Sequence, residues 1–395
     1  MKLIFFGDHV SEILNLQKAK NPAGNKWQKN LINSLKKYSN ILVVSYFRPK
    51  LFFKSHQLFV PNSLQKEQNK QESILLKFFN FPVLREICLF FSTINILIKI
   101  NSNNKQESLK ILQYNLYFPV SWAIFLLSFI YKYEFIPIIL DIVLEKSYQV
   151  SFIKRKYLKF ELIMQKIIFK KLRKVIVINE MIIEDFFDNV KYLVIEGGVS
   201  QEDISKTENL IKTKRNMKNK IVFTGTLDKV NGVDFLINSI KNIENQCMEL
   251  DIYGIGELEE FVRKSSIRDK RIKYKGFKKN DEILERQKNA SFLIIPRKRS
   301  NKILRYTFPS KLFEYMLSET PVICTNIPGL KQEYQECLYV IDTEDEIVFA
   351  NEISKILKKD FLELEKKAIN ARKFIIEKKN WDKQGLKILN FCKEE

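Results

Sequence analysis

Along the chain, short runs of consecutive apolar residues alternate with longer stretches in which apolar positions recur every three or four residues. In the first half KLIFF, ILVVSYF, SLKILQYN and FIPIILDIVL predict strands covered on both faces. Between them NKWQKNLINSLKKY, VSWAIFLLSFIYKY and RKYLKFELIMQKIIFKKL carry the helical period. KVIVIN and YLVIEGG add two strands, the second closing on a glycine turn. Residues 200–219, QEDISKTENLIKTKRNMKNK, are polar and strand-free and predict a connection between domains. The pattern then restarts. KIVFTGTL, MELDIYGIGE, IKYKGF, SFLIIP and PVICTN predict strands, and GVDFLINSIKNI, LEEFVRKSS and PSKLFEYMLS predict helices between them. The tail from Ile353, ending in NWDKQGLKILNFC, is helical. Alternation on both sides of a polar connection predicts two doubly wound α/β domains with ligands at the carboxyl ends of the strands.

A length of 395 residues suits two domains, and 45% hydrophobic residues suffice for packed cores. Charge sharpens the picture. Residues 1–200 hold 29 Lys+Arg against 15 Asp+Glu, and the remainder hold 38 against 31, so the first half is the more cationic. That balance favours an anionic partner: a membrane face, a phosphorylated substrate or a nucleic acid. No zinc-finger, RRM or helix-turn-helix pattern supports the last, and no nucleic-acid partner is expected. Five scattered cysteines without a C-x-x-C, and only two histidines, argue against a zinc site and for reduced thiols in a cytosolic protein. MKLIFFGD predicts a first strand and not a signal peptide. No apolar run exceeds 13 residues, which is too short to span a bilayer.

The segment RYTFPSKLFEYMLSETPVI holds the densest candidate chemistry. Pro309 starts a helix without cost because its missing N–H would be unpaired there anyway. Backbone N–H groups of Ser310 and Lys311, with Arg297, Lys298, Arg299, Lys302 and Arg305 upstream, suit a phosphate or diphosphate. Ser310, Lys311, Glu314 and Ser318 share one helical face, and Glu314 could accept hydrogen bonds from two vicinal hydroxyls; a solvated polar stripe is the competing reading. FTGTLDKVNG, with Gly225 and Thr226, lets backbone approach an anion, although such turns are also common as structure alone. DIYGIGE, with Gly254, lacks the third glycine of a dinucleotide fingerprint.

Lys154 to Lys174, KRKYLKFELIMQKIIFKKLRK, carries nine Lys/Arg and one glutamate and suits either an anionic membrane or a sheet-packed helix with its cations outward. His9 follows the first strand at the ligand end, whereas His56 reads as structural. Asp141 and Glu145, at or just past a strand end, are candidates for hydroxyl binding.

Together, IVFTGTLDKVNGVDFLINSI, LDIYGIGELEEF, IKYKGFKKNDEI, ASFLIIPRKRSNKILRYTFPSKLFEYMLSETPVICTNIPGL and the Trp381 helix resemble the second domain of the family 4 glycosyltransferases. These are retaining, nucleotide-sugar-dependent enzymes of the GT-B fold, two Rossmann-like domains facing across a cleft. FPSK-x-x-EYM-x-S-x-x-PVI and AGNKWQKNLINSL resemble a subgroup that builds bacterial capsule and exopolysaccharide. The resemblance implies an acceptor-binding domain over 1–199 and a nucleotide-sugar domain over 200–379, with 380–395 packing back on the first.

By the same resemblance Glu314 holds the donor ribose, the Pro309 turn with Ser310 and Lys311 binds the diphosphate, Gly225 and Thr226 face the donor phosphates, Gly276 with Phe277 meets the base, and Tyr306 and Phe308 are further donor-binding residues. Gly254 lies on the same donor side, and His9, Gly24, Asp141 and Glu145 lie on the acceptor side. Two departures stand out. Tyr306 replaces a second glutamate, and Thr226 and Asn231 stand where the glycine loop usually carries cations. Arg297, Arg305 and Lys311 are the expected replacements, with Arg305, Lys311 and Glu314 the expected catalytic group.

The implied reaction moves a sugar from a nucleoside diphosphate, expected to be UDP, to a hydroxyl of a polyprenyl-diphosphate-linked saccharide or glycan at the cytoplasmic membrane face. It needs neither a metal nor a cofactor. A GT-B sugar-nucleotide epimerase and a non-catalytic transferase partner subunit are the competing functions.

Overall fold

Strands that are apolar on both faces need helices above and below, and the short apolar runs fold this way. The computed structural model describes residues 1–9, 22–47, 49, 58–61, 63–66, 72–103, 108–142, 152–210 and 220–394. It divides into two units, residues 1–196 with 381–395, and residues 197–380.

Among the described residues, ten strands belong to the first unit: β1 (Lys2–Gly7), β2 (Ile41–Ser45), β3 (Phe59–Val60), β4 (Ser63–Lys66), β5 (Glu72–Leu75), β6 (Phe78–Phe79), β7 (Leu109–Tyr114), β8 (Tyr133–Ile139), β9 (Lys174–Val177) and β10 (Lys191–Val194). Eight form one sheet in the order β10-β9-β8-β7-β1-β2-β5-β4, and β3 pairs β6 separately. Every neighbour pair of the large sheet is parallel except β4 with β5. Phe5 of β1 lies opposite Val43 on one side and Leu112 on the other, and all three are buried.

Helices Pro22–Lys36 and Trp381–Lys393 pack together against this sheet. Trp27 meets Trp381 edge-on at 5.1 Å, and Ser34 Oγ donates to the Trp381 carbonyl at 2.6 Å. Trp381, Ile388, Leu389, Phe391 and Cys392 enter the same core as Phe5 and Leu112. Residues 58–102 carried no sequence-predicted element, yet they hold β3 to β6 and the helix Leu84–Ser102. The strands are two to four residues long, and the helix is apolar nearly all round, so neither offers a clear period.

The second unit holds β11 (Lys220–Thr224), β12 (Glu249–Tyr253), β13 (Ile272–Gly276), β14 (Phe292–Ile295), β15 (Val322–Thr325) and β16 (Tyr339–Ile341). They form one parallel sheet in the order β13-β12-β11-β14-β15-β16. This is the doubly wound order, with its reversal between β11 and β14. Residues 200–219, expected to be a featureless connection, instead contain the helix Gln201–Glu208. A reciprocal cap starts it: Asp203 N–H donates to Ser200 Oγ at 3.2 Å, and Ser200 N–H donates to Asp203 Oδ2 at 3.0 Å. Residues 211–219 lie outside the described residues. The helical tail divides into Glu346–Leu357 and Phe361–Lys378, and Asp360 caps the second by accepting from Leu362 N–H at 3.1 Å.

Candidate active site

Where a parallel sheet reverses its order, the chains leaving two adjacent strands turn to opposite faces and leave a crevice at the carboxyl edge. In the second unit this is the space beyond β11 and β14. A pocket of about 200 Å³ lies there, lined among others by Gly225, Thr226, Asn231, Arg297, Ser310 and Lys311.

The helix Lys311–Leu317 forms one wall. Leu312 N–H donates to the Pro309 carbonyl at 2.8 Å, so the first turn closes on the proline. Leu312, Phe313, Tyr315, Met316 and Leu317 are buried, which leaves Lys311 and Glu314 as the side chains facing partly outward. Ser318, expected on the same polar face, is buried and donates to the Tyr315 carbonyl at 2.7 Å. Phe308 also turns inward; its ring packs 5.3 Å from Phe313 and 5.4 Å from Tyr334, away from the pocket lining. At the other helix end the buried Arg372 donates to the Leu317 carbonyl and to Thr207 Oγ1. This satisfies a carbonyl that the helix geometry leaves unpaired.

Glu314 is held by two donors on one oxygen. Its Oε1 accepts from Gln287 Nε2 at 2.5 Å and from Lys311 Nζ at 3.3 Å. Its other oxygen, Oε2, has no partner among the described residues, so the carboxylate retains acceptor capacity. Gln287 is wholly buried on the helix Asn280–Lys288, and its Nε2 also reaches Thr224 Oγ1 at 3.2 Å. Thr224 N–H donates to Tyr315 Oη at 2.9 Å. A buried polar network thus ties the carboxylate, the end of β11 and the helix into one piece. Gln287 was not among the sequence candidates, because a glutamine in NDEILERQK reads as a solvent residue of a polar helix.

The cations sort themselves clearly. Arg297 follows β14 and donates through Nη2 to Asn231 Oδ1 at 2.8 Å. Asn231 is fixed in turn, donating from Nδ2 to the Thr226 carbonyl at 3.2 Å and to Asp228 Oδ1 at 2.9 Å. A guanidinium from the loop after β14 therefore reaches the end of the glycine turn at Asn231. Burial lowers the Arg297 pKa, opposed by Cys324 and Asp228, but a guanidinium remains charged near neutrality. Burial pushes the adjacent Cys324 thiol up to about 12, with Arg297 opposing, so this thiol is neutral.

Lys298 lies over the Phe235 ring at 5.1 Å, and Arg299 pairs with Asp342 at 3.1 Å. Arg305 and Tyr306 occupy the 3-10 turn Lys302–Tyr306, partly buried and outside the pocket lining. Of the three expected cations, the pocket gathers Arg297 and Lys311.

Gly225, Gly254 and Gly276 end three neighbouring strands. Gly225 N–H donates to the Tyr253 carbonyl and Gly254 N–H to the Gly276 carbonyl, both at 3.0 Å. A Cβ on Gly254 would stand 1.8 Å from the Gly225 carbonyl oxygen, so Gly254 serves close packing of the two turns. Gly276, by contrast, faces open space beside the exposed Phe277. Gly232 adopts φ 73°, and a Cβ there would stand 1.8 Å from the Pro296 carbonyl oxygen, which lets the β11 loop approach the end of β14.

In the first unit His9 is buried just beyond β1, with Nδ1 3.2 Å from Asn25 Oδ1. Gln28 Nε2 donates to Asp8 Oδ1 at 2.9 Å and to the Gly24 carbonyl at 3.3 Å. The structure therefore joins His9 and Gly24 through one helix start. Asp141, beyond β8, accepts from Asn115 Nδ2 at 3.2 Å; desolvation raises its pKa and the Asn115 bond opposes the rise. Burial, followed by the charges of Asp141 and Asp8, raises the Tyr114 phenol. Glu145 and His56 lie outside the described residues.

Residues 218–359 match the model of the family Glycosyl transferases group 1. No curated protein matches the sequence. Among solved structures, the chain is similar to sucrose-phosphate synthase from Thermosynechococcus elongatus, at 15% identity and TM-score 0.67, over 100% of this chain and 98% of that one. It is similar to Anabaena Alr3699/HepE in complex with UDP, at 15% identity and TM-score 0.63, over the whole of both chains. A structure of trehalose-6-phosphate from E. coli bound with UDP-2-fluoro glucose aligns at 11% identity and TM-score 0.68, over 100% of this chain and 99% of that one. The shared architecture is the GT-B fold of two Rossmann-like units.

Proposed function

We propose that this chain is a retaining glycosyltransferase that takes a sugar from a nucleoside diphosphate, with UDP-sugar as the expected donor. The carrying observation is that Lys311, Arg297 and the Gly225 turn line one pocket at the reversal point of the second sheet, with Glu314 bonded to Lys311 beside it. The family match over 218–359 and the UDP named in two similar structures support the reading. A ribose diol beside a diphosphate presents two hydroxyl donors next to negative charge. Glu314 Oε2 accepts from the diol, while Lys311 and Arg297 neutralise the phosphates.

In the reaction the bond between the anomeric carbon and the distal phosphate oxygen breaks, and a bond from that carbon to an acceptor hydroxyl oxygen forms on the same face. The acceptor proton passes to the departing phosphate oxygen. The charge that develops on the diphosphate is stabilised by the two cations, an electrostatic effect larger in a partly dry pocket than in water. The acceptor is a polyprenyl-diphosphate-linked saccharide of bacterial surface-glycan synthesis, presented at the inner face of the plasma membrane. His9, Gly24 and Asp141 are its proposed contacts.

A nucleotide-sugar screen by thermal shift, followed by product analysis, tests the reading. UDP or a UDP-sugar raises the melting temperature of the parent; Arg297→Ala and Lys311→Ala reduce that shift, the latter while leaving the unliganded melting temperature nearly unchanged. Release of UDP with a new glycosidic product is expected. A shift without UDP release indicates a binding subunit, an isomerised nucleotide sugar indicates an epimerase, and no shift with any nucleotide sugar overturns the site.

A further inference from the structure

The basic helix identified in the sequence is not used by the donor site. Helix Phe152–Phe169 packs beside Phe118–Leu127, with Phe118 edge-on to Phe160 at 5.0 Å, and Phe118–Leu127 packs beside Leu84–Ser102. Right-handed crossovers put these three helices on the sheet face opposite Pro22–Lys36. A solvent-facing helix surface is ordinarily polar. Here Phe160, Ile163 and Ile167 are exposed and share about 140° of the helix circumference with exposed Arg155, Lys166 and Lys170. The helix's only acid, Glu161, is on the opposite, buried side. Among the described residues no carboxylate pairs with those three cations.

Large apolar side chains are also exposed on the neighbouring helix Leu84–Ser102, where Phe91 is 61% exposed, and in the turn after Phe118–Leu127, where Phe129 is 67% and Ile130 72% exposed. Cations and large apolar side chains interleaved on one outward face meet both halves of a lipid surface, headgroup phosphates and acyl chains. We propose that this face of the first unit docks on an anionic lipid membrane through Phe160, Ile163 and Ile167 with Arg155, Lys166 and Lys170. A second copy of the chain is disfavoured because the same cations would face each other. A nucleic acid would engage the cations and leave the isoleucines without a partner. The docking rests on the proposed transfer reaction only for its purpose, which is to bring the enzyme to a lipid-borne acceptor.

Co-sedimentation of the full chain with phosphatidylcholine vesicles, and with vesicles enriched in phosphatidylglycerol, tests the proposal. The parent should sediment with the anionic vesicles in a salt-sensitive manner and remain mostly in solution with the neutral ones. Lys166→Glu with Lys170→Glu should weaken anionic-vesicle binding by roughly thirtyfold or more, since losing each basic residue at the surface costs about 1 kcal/mol and each new carboxylate adds repulsion. Ile163→Ser with Ile167→Ser should weaken it through the salt-insensitive part. UDP thermal shift, measured on the same samples, reports the donor site separately, so failure of docking and failure of the donor reading are distinguishable. If the parent stays in solution with anionic vesicles, if the charge-reversed variant binds like the parent, or if the parent binds RNA or dimerises through this face instead, the proposal is overturned.

Discussion

At the scale of single residues, the proposed donor site turns on one carboxylate and the amide that holds it. Gln287 and Lys311 both bond Glu314 Oε1, so the carboxylate is oriented before any ligand arrives. Glu314→Gln keeps the size but places a donor amide where an acceptor is needed. It should lower kcat/KM for the UDP-sugar by about ten- to a hundredfold, from roughly 1.5–3 kcal/mol for a charged hydrogen bond, with the melting temperature little changed. Steady-state kinetics with circular dichroism melting check this; unchanged kcat/KM would remove Glu314 from the site. The thiols give a second test. Burial holds Cys324 and Cys392 at about 12, above an ordinary value of 9.0, whereas Cys247 is exposed. At pH 8 alkylation of the native protein should therefore mark Cys247 and spare the other two. The folded chain keeps protons on these thiols that the unfolded chain releases, so their contribution is full below pH 9 and declines as pH rises from about 9 to about 12. A denaturant midpoint that does not fall over that range would contradict the assignment.

At the scale of elements, the glycines of the second sheet set how closely its loops approach. Gly254→Ala would push a Cβ into the Gly225 carbonyl oxygen, a backbone atom that cannot rotate away. It should destabilise the second unit by about 3 kcal/mol or more and displace the Gly225 turn, so both unfolding midpoint and UDP binding should fall. If Gly254→Ala melts like the parent, close packing of the two turns is not what Gly254 provides.

The same scale shows what a sequence can disclose. Strands such as ILVVS and FLII were legible because parallel strands are apolar on both faces. The Glu314 helix was legible because proline and a polar face mark its start and side. Gln287 was not, since its burial depends on a neighbour 27 residues away. Ser318 was misplaced for a related reason: helical spacing gives direction around the axis but not which neighbour, here the Tyr315 carbonyl, occupies that side. The capped helix Gln201–Glu208 was hidden because its polar composition resembles a loop, although Ser200 and Asp203 carry its capping pattern.

At the scale of the whole molecule, the chain leaves the first unit after Glu196, builds the second, and returns at Trp381. Trp381, Ile388, Leu389 and Phe391 are nearly fully buried in the first core. At roughly 1.5–3 kcal/mol for each large apolar side chain, four of them contribute about 6–12 kcal/mol, comparable to the entire stability of a domain. Removing residues 381–395 should therefore unfold the first unit while the Gln201-to-Lys378 portion keeps its structure. Limited proteolysis would show a surviving fragment near residues 197–380, and survival of residues 22–196 instead would refute the arithmetic. The return path also orders events on the ribosome. The Trp27 side of the first sheet, covered by the helix Pro22–Lys36 alone, lacks its second helix until all of the second unit has been translated, at about 5–20 residues per second. For those seconds the nascent chain carries an open apolar surface, which makes it a client for a chaperone during synthesis.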